Sequence, residues 1–207
     1  LYPPVSTFPR ADEKRPVILG VGRFFVPGTG HNKKQLELVG AFRQLVERGQ
    51  AEGWELHLVG GCAPEHRPYF EQVEAAAEGL PVVLHPDASG AELRRLYGEA
   101  SVFWHAAGLG EDAEKHPERQ EHFGITTVEA MSAGAVPVVI DAAGQAEIVE
   151  PGVSGFRFTT VEELITHTEA LLADEALRSR LSAAAEQRAA DFAWPAFTES
   201  VRAQILP

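Results

Sequence analysis

Residues 121–140 read EHFGITTVEAMSAGAVPVVI, and the order of elements in this stretch decides the fold. Gly124 opens a segment of helix character that runs to residue 133, and the apolar run Val-Pro-Val-Val-Ile follows at 136–140. A proline at the second position of that run suits the start of a strand. The same alternation recurs outward in both directions. Upstream, residues 16–22 (PVILGVG) are a short, partly β-branched apolar run ending in glycine, as a buried strand does. A Gly/Pro-rich loop is expected at 25–31. In residues 33–50, Leu36, Leu38, Val39, Phe42, Leu45 and Val46 mark one face of a helix. Residues 54–59 alternate and stop at Gly60-Gly61; 69–78 reads as helix, 81–84 as a brief strand, 91–97 as a short helix and 101–105 (SVFWH) as another strand. Residues 106–120 read as a polar loop. Downstream, 155–158 is a small strand, and 161–205 is helical with a break near Ala193-Trp194-Pro195. Residues 1–16 hold four prolines and read as an extended lead-in rather than a packed element.

Strands that alternate with helices in this way predict an α/β fold, a Rossmann-like doubly wound parallel sheet covered on both faces. Such sheets take their ligands at the carboxyl ends of the strands. The chain has 207 residues, enough for one large domain or two small ones, and 44% of them are hydrophobic. Its formal net charge is −12, which argues against nucleic acid as a partner, because phosphate-backbone binding needs a basic footprint. A local cationic pocket for a small phosphate ligand stays open. The single cysteine, Cys62, excludes an intrachain disulfide framework and a multi-cysteine metal site. With no signal-peptide pattern at the start and no run near ~18 apolar residues, a soluble, cytoplasmic setting is expected.

Chemistry concentrates in the segment quoted first. Glu121 and Glu129 stand eight positions apart, about 12 Å of rise if one helix carried both. That is too far for the ~5 Å carboxylate pair of a retaining glycosidase, but it matches the length of a nucleotide sugar. The middle of the motif is then a helix N-terminus whose free N–H groups at Phe123, Gly124 and Ile125 favour an anion, and glycine allows close backbone approach. Spacing alone also fits a helix start with two solvated acids. The second candidate is Gly20-Val21-Gly22-Arg23, which delivers an arginine to the sheet edge, with Lys33 ten residues on. Together the two cations would stabilise a diphosphate leaving group. Phe25 occupies the third-glycine position of a dinucleotide fingerprint, so NAD is a poor fit.

These segments together, GVGRFF (20–25), HNKKQLELVGAF (31–42), LYGEASVFWHA (96–106), EHFGITTVEAMSAGAVPVV (121–139) and GQAEIVEPGVSGF (144–156), resemble the carboxyl-terminal half of a GT-B glycosyltransferase. The similarity is to family 4, the retaining "group 1" enzymes, and runs from about residue 17 to 158. The E-x7-E element followed by an A-M-x-A-G helix and an apolar strand is its specific part. The resemblance implies that Arg23 and Lys33 bind the diphosphate and stabilise the departing nucleotide, with Lys34 as the alternative one register away. Gly22 would let the phosphates approach. Glu121 would sit by the donor sugar and Glu129 on the ribose hydroxyls, with Phe123, Gly124, Ile125 and Thr126 offering contacts to phosphates and sugar. The base would lie near Leu84, His85 and Leu93, around the turn that ends at Asp87. The implied donor is a UDP- or GDP-linked sugar, used without cofactor or metal. Residues 1–16 would be a connector from an absent N-terminal domain that supplies the acceptor site and any peripheral membrane contact. Residues 17–192 would be the donor-binding domain and 193–207 a terminal helix.

Two features depart from the family pattern. Residues 108–120 form a charged insertion expected to flank the donor sugar, and the half that would complete a two-domain cleft is not in this sequence. The isolated chain is therefore expected to be inactive. A non-catalytic nucleotide-binding module stays open as an alternative, and a nucleotide-sugar epimerase as a less favoured one. Of the eight histidines, none falls in an H-E-x-x-H pattern, and there is no Asp-x-Asp pair. His105 is a weak site candidate that reads better as a core or rim histidine. Cys62 is expected to be a loop residue without redox duty, and no serine lies in a G-x-S-x-G context.

Overall fold

Strands buried on both faces carry apolar residues at every position rather than at every second one, and the central strands here do so. Val17 and Leu19 pack on one side of the sheet and Ile18 on the other; Phe103 and Ala100 oppose Val102 and Trp104 in the same way. The computed structural model describes residues 1–27 and 32–205; the 28–31 part of the expected Gly/Pro-rich loop lies outside the described residues. The elements in order are β1 (Arg15–Val21), α1 (Gln35–Glu47), β2 (Glu55–Gly60), α2 (Arg67–Ala77), β3 (Val82–Pro86), α3 (Gly90–Glu99), β4 (Ala100–His105), α4 (Ile125–Ser132), β5 (Val136–Ile140), α5 (Ala143–Ile148), β6 (Phe156–Phe158), α6 (Val161–Ala173), α7 (Glu175–Ala190) and α8 (Trp194–Ile205). All strand pairings are parallel, in the order β3-β2-β1-β4-β5-β6. The predicted doubly wound sheet is therefore the observed one, with its topological switch point between β1 and β4.

Helices α1, α2 and α6 bury Leu38, Phe42, Phe70, Val73, Leu164 and Ile165 in one core. On the other face Leu96, Tyr97 and Ala130 of α3 and α4 close a second. The indole of Trp104 is buried in the first core and donates to the Thr168 Oγ1 at 3.0 Å. Three expectations need correction. Residues 161–205 are three helices, because the Asp174 side chain caps α7 by accepting from the Leu177 N–H at 2.9 Å. The short α5 was not anticipated. The lead-in is extended but not loose. Val5 is buried, its N–H donates to the Phe192 carbonyl at 2.8 Å and it bridges Ala193; Lys14 donates to the carbonyls of Ala100 and Ala133 at 2.8 and 2.5 Å.

Candidate functional site

The carboxyl ends of β1 and β2, the turn after β3 and the start of α4 enclose a cavity of about 750 Å³. Its lining includes Gly22, Arg23, Lys33, Gly61, Asp87, Leu93, Glu121, Phe123, Gly124, Ile125 and Thr126. Arg23 and Lys33 thus meet Gly124 across one space at the switch point, although they come from different elements. The Arg23 guanidinium lies over the Phe25 ring, 4.6 Å from its centroid. Buried Gln35, at the start of α1, fixes the strand end beneath it by donating from Nε2 to the carbonyls of Gly22 and Arg23, both at 3.1 Å.

The Glu121 Oε2 accepts from the Lys33 ammonium and from the His105 Nε2, the latter at 3.1 Å. Burial pushes the Glu121 carboxyl up, but the hydrogen bond and charge of His105 and the Lys33 ammonium outweigh it and bring the group down to about 2. His105 ends β4 and is buried; desolvation lowers its pKa against the pull of Glu121. The acid is therefore ionised at neutral pH.

Helix α4 begins at Ile125, so Glu121 stands in the preceding loop while Glu129 is on the helix. The N-cap is Gly124, left-handed at φ 100°, a conformation that glycine adopts without strain. A Cβ there would also collide with the Gln145 side chain. No side chain caps α4; the Thr127 N–H turns back to the Gly124 carbonyl at 3.0 Å, and Ile125 and Thr126 line the cavity at the positive end of the helix. The loop is pinned from behind: the Gly144 N–H donates to the Glu121 carbonyl at 3.1 Å, and a Cβ on Gly144 would sit 2.5 Å from the carbonyl oxygens of His122 and Phe123. The Phe123 ring stacks on Tyr2 at 5.8 Å and meets Phe192 at 5.7 Å between centroids.

The family model described as "Glycosyl transferases group 1" matches residues 6–188. The chain belongs to this family. A sulfoquinovosyl transferase of Arabidopsis thaliana is 26% identical over 92% of this group 1 chain and 33% of its own length. An alpha-1,2-mannosyltransferase of Dictyostelium discoideum named for GDP-Man is 30% identical over 84% of the chain and 35% of its own. The group 1 chain spans about a third of the length of these curated relatives. Among solved structures, Anabaena HepE in complex with UDP and glucose superposes with a TM-score of 0.74 at 21% identity, over 93% of this chain and 48% of that one. The C-terminal domain of a group 1 protein from Francisella tularensis gives 0.66 at 15% identity, over 89% and 94%. These likenesses carry the GT-B fold.

Not every expected residue of this group 1 chain lines the cavity. Glu129 does not; its carboxylate accepts from the buried Tyr97 hydroxyl at 2.8 Å, and burial raises its pKa against that hydrogen bond. Leu84 and His85 do not either. Leu84 packs against the first core, and His85 is spent on Glu92 at 3.0 Å and His57 at 3.1 Å. Their place is taken by Asp87, left-handed at φ 55°, whose Oδ1 accepts from the Cys62 N–H at 3.0 Å, and by Ala88. Between the two lysine registers the geometry selects Lys33, because Lys34 turns to Glu111 at 2.7 Å. The insertion 108–120 lines none of the cavity; its Glu111 holds Lys34, the residue after Lys33, and Arg119 at 2.9 Å. The sequence alone gives Gln35 and Gly144 no role and reads His105 as core or rim, whereas the turn ending at Asp87 is expected at the site and supplies Asp87 to the lining. The signal for Gln35 was its position directly after the paired lysines. Among the described residues, no three His, Cys, Asp or Glu gather as a metal site, and no helix is long and apolar enough to cross a membrane.

Proposed function

We propose that this chain is the donor-binding part of a family 4 glycosyltransferase that moves a sugar from a nucleotide diphosphate to an acceptor hydroxyl with retention. The observation that carries the reading is the convergence of Arg23, Lys33 and the uncapped start of α4 on one cavity that also holds the ionised Glu121. In it, the diphosphate lies between the two cations and the amides of residues 123–126. Negative charge growing on the departing nucleotide is met by fixed donors rather than by a divalent cation, so no metal is required. Glu121 faces the sugar, the base rests by Asp87, Ala88 and Leu93, and Glu129 reaches the ribose once its bond to Tyr97 rearranges. A second part of the protein supplies the acceptor site, so the chain alone binds donor without turning it over. We keep the cytoplasmic setting as part of this reading.

The test pairs calorimetry of UDP and GDP binding to this chain with turnover of a longer protein carrying it. Lys33→Ala should weaken nucleotide diphosphate binding and cost about 2–4 kcal/mol of transition-state stabilisation, as loss of one oxyanion donor does. Unchanged binding and turnover in Lys33→Ala would reject the leaving-group role.

A further inference from the structure

Two donors share one oxygen of Glu121. The Lys33 ammonium and the His105 Nε2 both meet Oε2. They differ in what they can do when an anion arrives. Lys33 stands on the segment leading into α1 and lines the cavity, so a diphosphate entering beside the α4 N-terminus competes for its charge. His105 cannot follow. It is the last residue of β4, it is 3% exposed, and the preceding residue, Trp104, is locked in the core by its bond to Thr168.

We infer that His105 is a positioning residue for Glu121, whose Nε2–H holds the carboxylate at the sugar end of the cavity after the diphosphate has drawn Lys33 away. The inference rests on the donor-binding reading above. An ionised carboxylate only accepts hydrogen bonds, so the proton of the shared contact sits on Nε2. The Nδ1 atom is buried and, among the described residues, meets nothing beyond the main chain of His105 itself, so that with the proton on Nε2 it is the bare nitrogen of a neutral ring. Desolvation favours that neutral form. A neutral donor has a specific use here. It fixes the direction of the acid without cancelling its charge, so that Glu121 stays free to accept from sugar hydroxyls, as a second cation would not allow. Rigid strand ends hold such supporting groups better than loops do.

Two measurements on this chain test it. The first is long-range ¹H–¹⁵N correlation of the histidine side chains in the ligand-free protein, with His105 assigned by its loss in His105→Gln. A pyrrole-like Nε2 and a pyridine-like Nδ1 are expected; a proton on Nδ1 overturns the inference, whatever any variant does. The second compares UDP-glucose with UDP, and GDP-mannose with GDP, by calorimetry. In His105→Leu, affinity for whichever nucleotide sugar the wild-type chain prefers should fall about tenfold more than affinity for its nucleotide, the size expected for a lost hydrogen bond to a charged group. His105→Gln, which returns an N–H donor to the place of Nε2, should recover most of that difference. Equal losses for sugar-bearing and bare nucleotides, or no recovery with glutamine, overturn the positioning role. A wild-type chain that binds neither nucleotide pair overturns the donor-binding reading itself, and is told apart by needing no variant.

Discussion

Replacing Gly144 by alanine adds one methyl group behind the loop of residues 121–124 that leads into α4. The new Cβ would lie 2.5 Å from the carbonyl oxygens of His122 and Phe123 and nearer still to the Phe123 Cα. Nonbonded carbon contacts settle at about 3.5 Å or more, so backbone must retreat by about 1 Å. All the crowded atoms are main chain, which no rotamer change relieves. Crowding of this kind costs about 1–3 kcal/mol of stability. The functional effect is larger in kind, because N–H···O bonds work over only about half an ångström of donor–acceptor distance. A 1 Å retreat of residues 122–123 misaligns the amides with a bound phosphate, and losing one charge-assisted bond weakens binding by about tenfold to a hundredfold. The assay is calorimetric titration with UDP and GDP beside thermal unfolding, with Gly40→Ala as control. Gly40 lies in α1 with nothing within 4 Å of its added Cβ, so that change should stabilise by about 0.5–1 kcal/mol and leave binding alone. Gly144→Ala with wild-type affinity and wild-type unfolding would refute the claim that α5 sets the position of the loop.

Two further outcomes follow from buried partners. Glu121 titrates at about 2 in the folded chain against an ordinary 4.5, so it contributes about 3 kcal/mol that is complete above 4.5 and lost as pH falls toward 2. His105, held below its ordinary 6.5, acts in the same direction, its contribution present above 6.5 and declining below it. Urea unfolding from pH 7 down to 3 should show wild type losing stability relative to Glu121→Gln; parallel curves would remove the ion cluster from the account. Thr168→Val keeps the volume but strands the Trp104 indole N–H in the core, at a cost of about 1–3 kcal/mol. Differential scanning calorimetry should show Tm falling by about 2–4 °C per kcal/mol, and an unchanged Tm would mean the indole is satisfied elsewhere.

What could be read in the sequence was whatever local pattern controls. Residues 136–140 lie between two packed helical layers, so every position is apolar, and the strand was placed to the residue. The cavity-lining residues Arg23, Lys33, Glu121 and 123–125 were legible for a related reason, since parallel strands bring their carboxyl ends together whatever the loops do, whereas Thr126 came only with the family resemblance. Contacts set by distant pairing were not. Val5 pairs with Ala193, far along the chain, and no periodicity within residues 1–16 records that. His105 looked like core because its partner, Glu121, lies beyond a loop whose path follows from the Glu111 ion pairs with Lys34 and Arg119. The family resemblance implies that the base lies by Leu84 and His85, around the turn that ends at Asp87. Of that turn, Asp87 and the following Ala88 line the cavity, while the His85 imidazole is occupied by Glu92 and His57. The α6–α7 break was missed because helical composition continues on both sides of the single capping Asp174.

One aromatic junction has reach beyond its size. Tyr2 near the start of the chain and Phe192 near its end both press on the ring of Phe123, and Tyr2 also meets Phe192 edge-on at 5.1 Å. Phe123, which lines the cavity, thereby ties residue 2 to residue 192. A pull on residues 1–5, by a tag or by preceding chain, arrives first at the segment that borders the cavity. Removing residues 1–5 would take Tyr2 off the Phe123 ring and loosen that border.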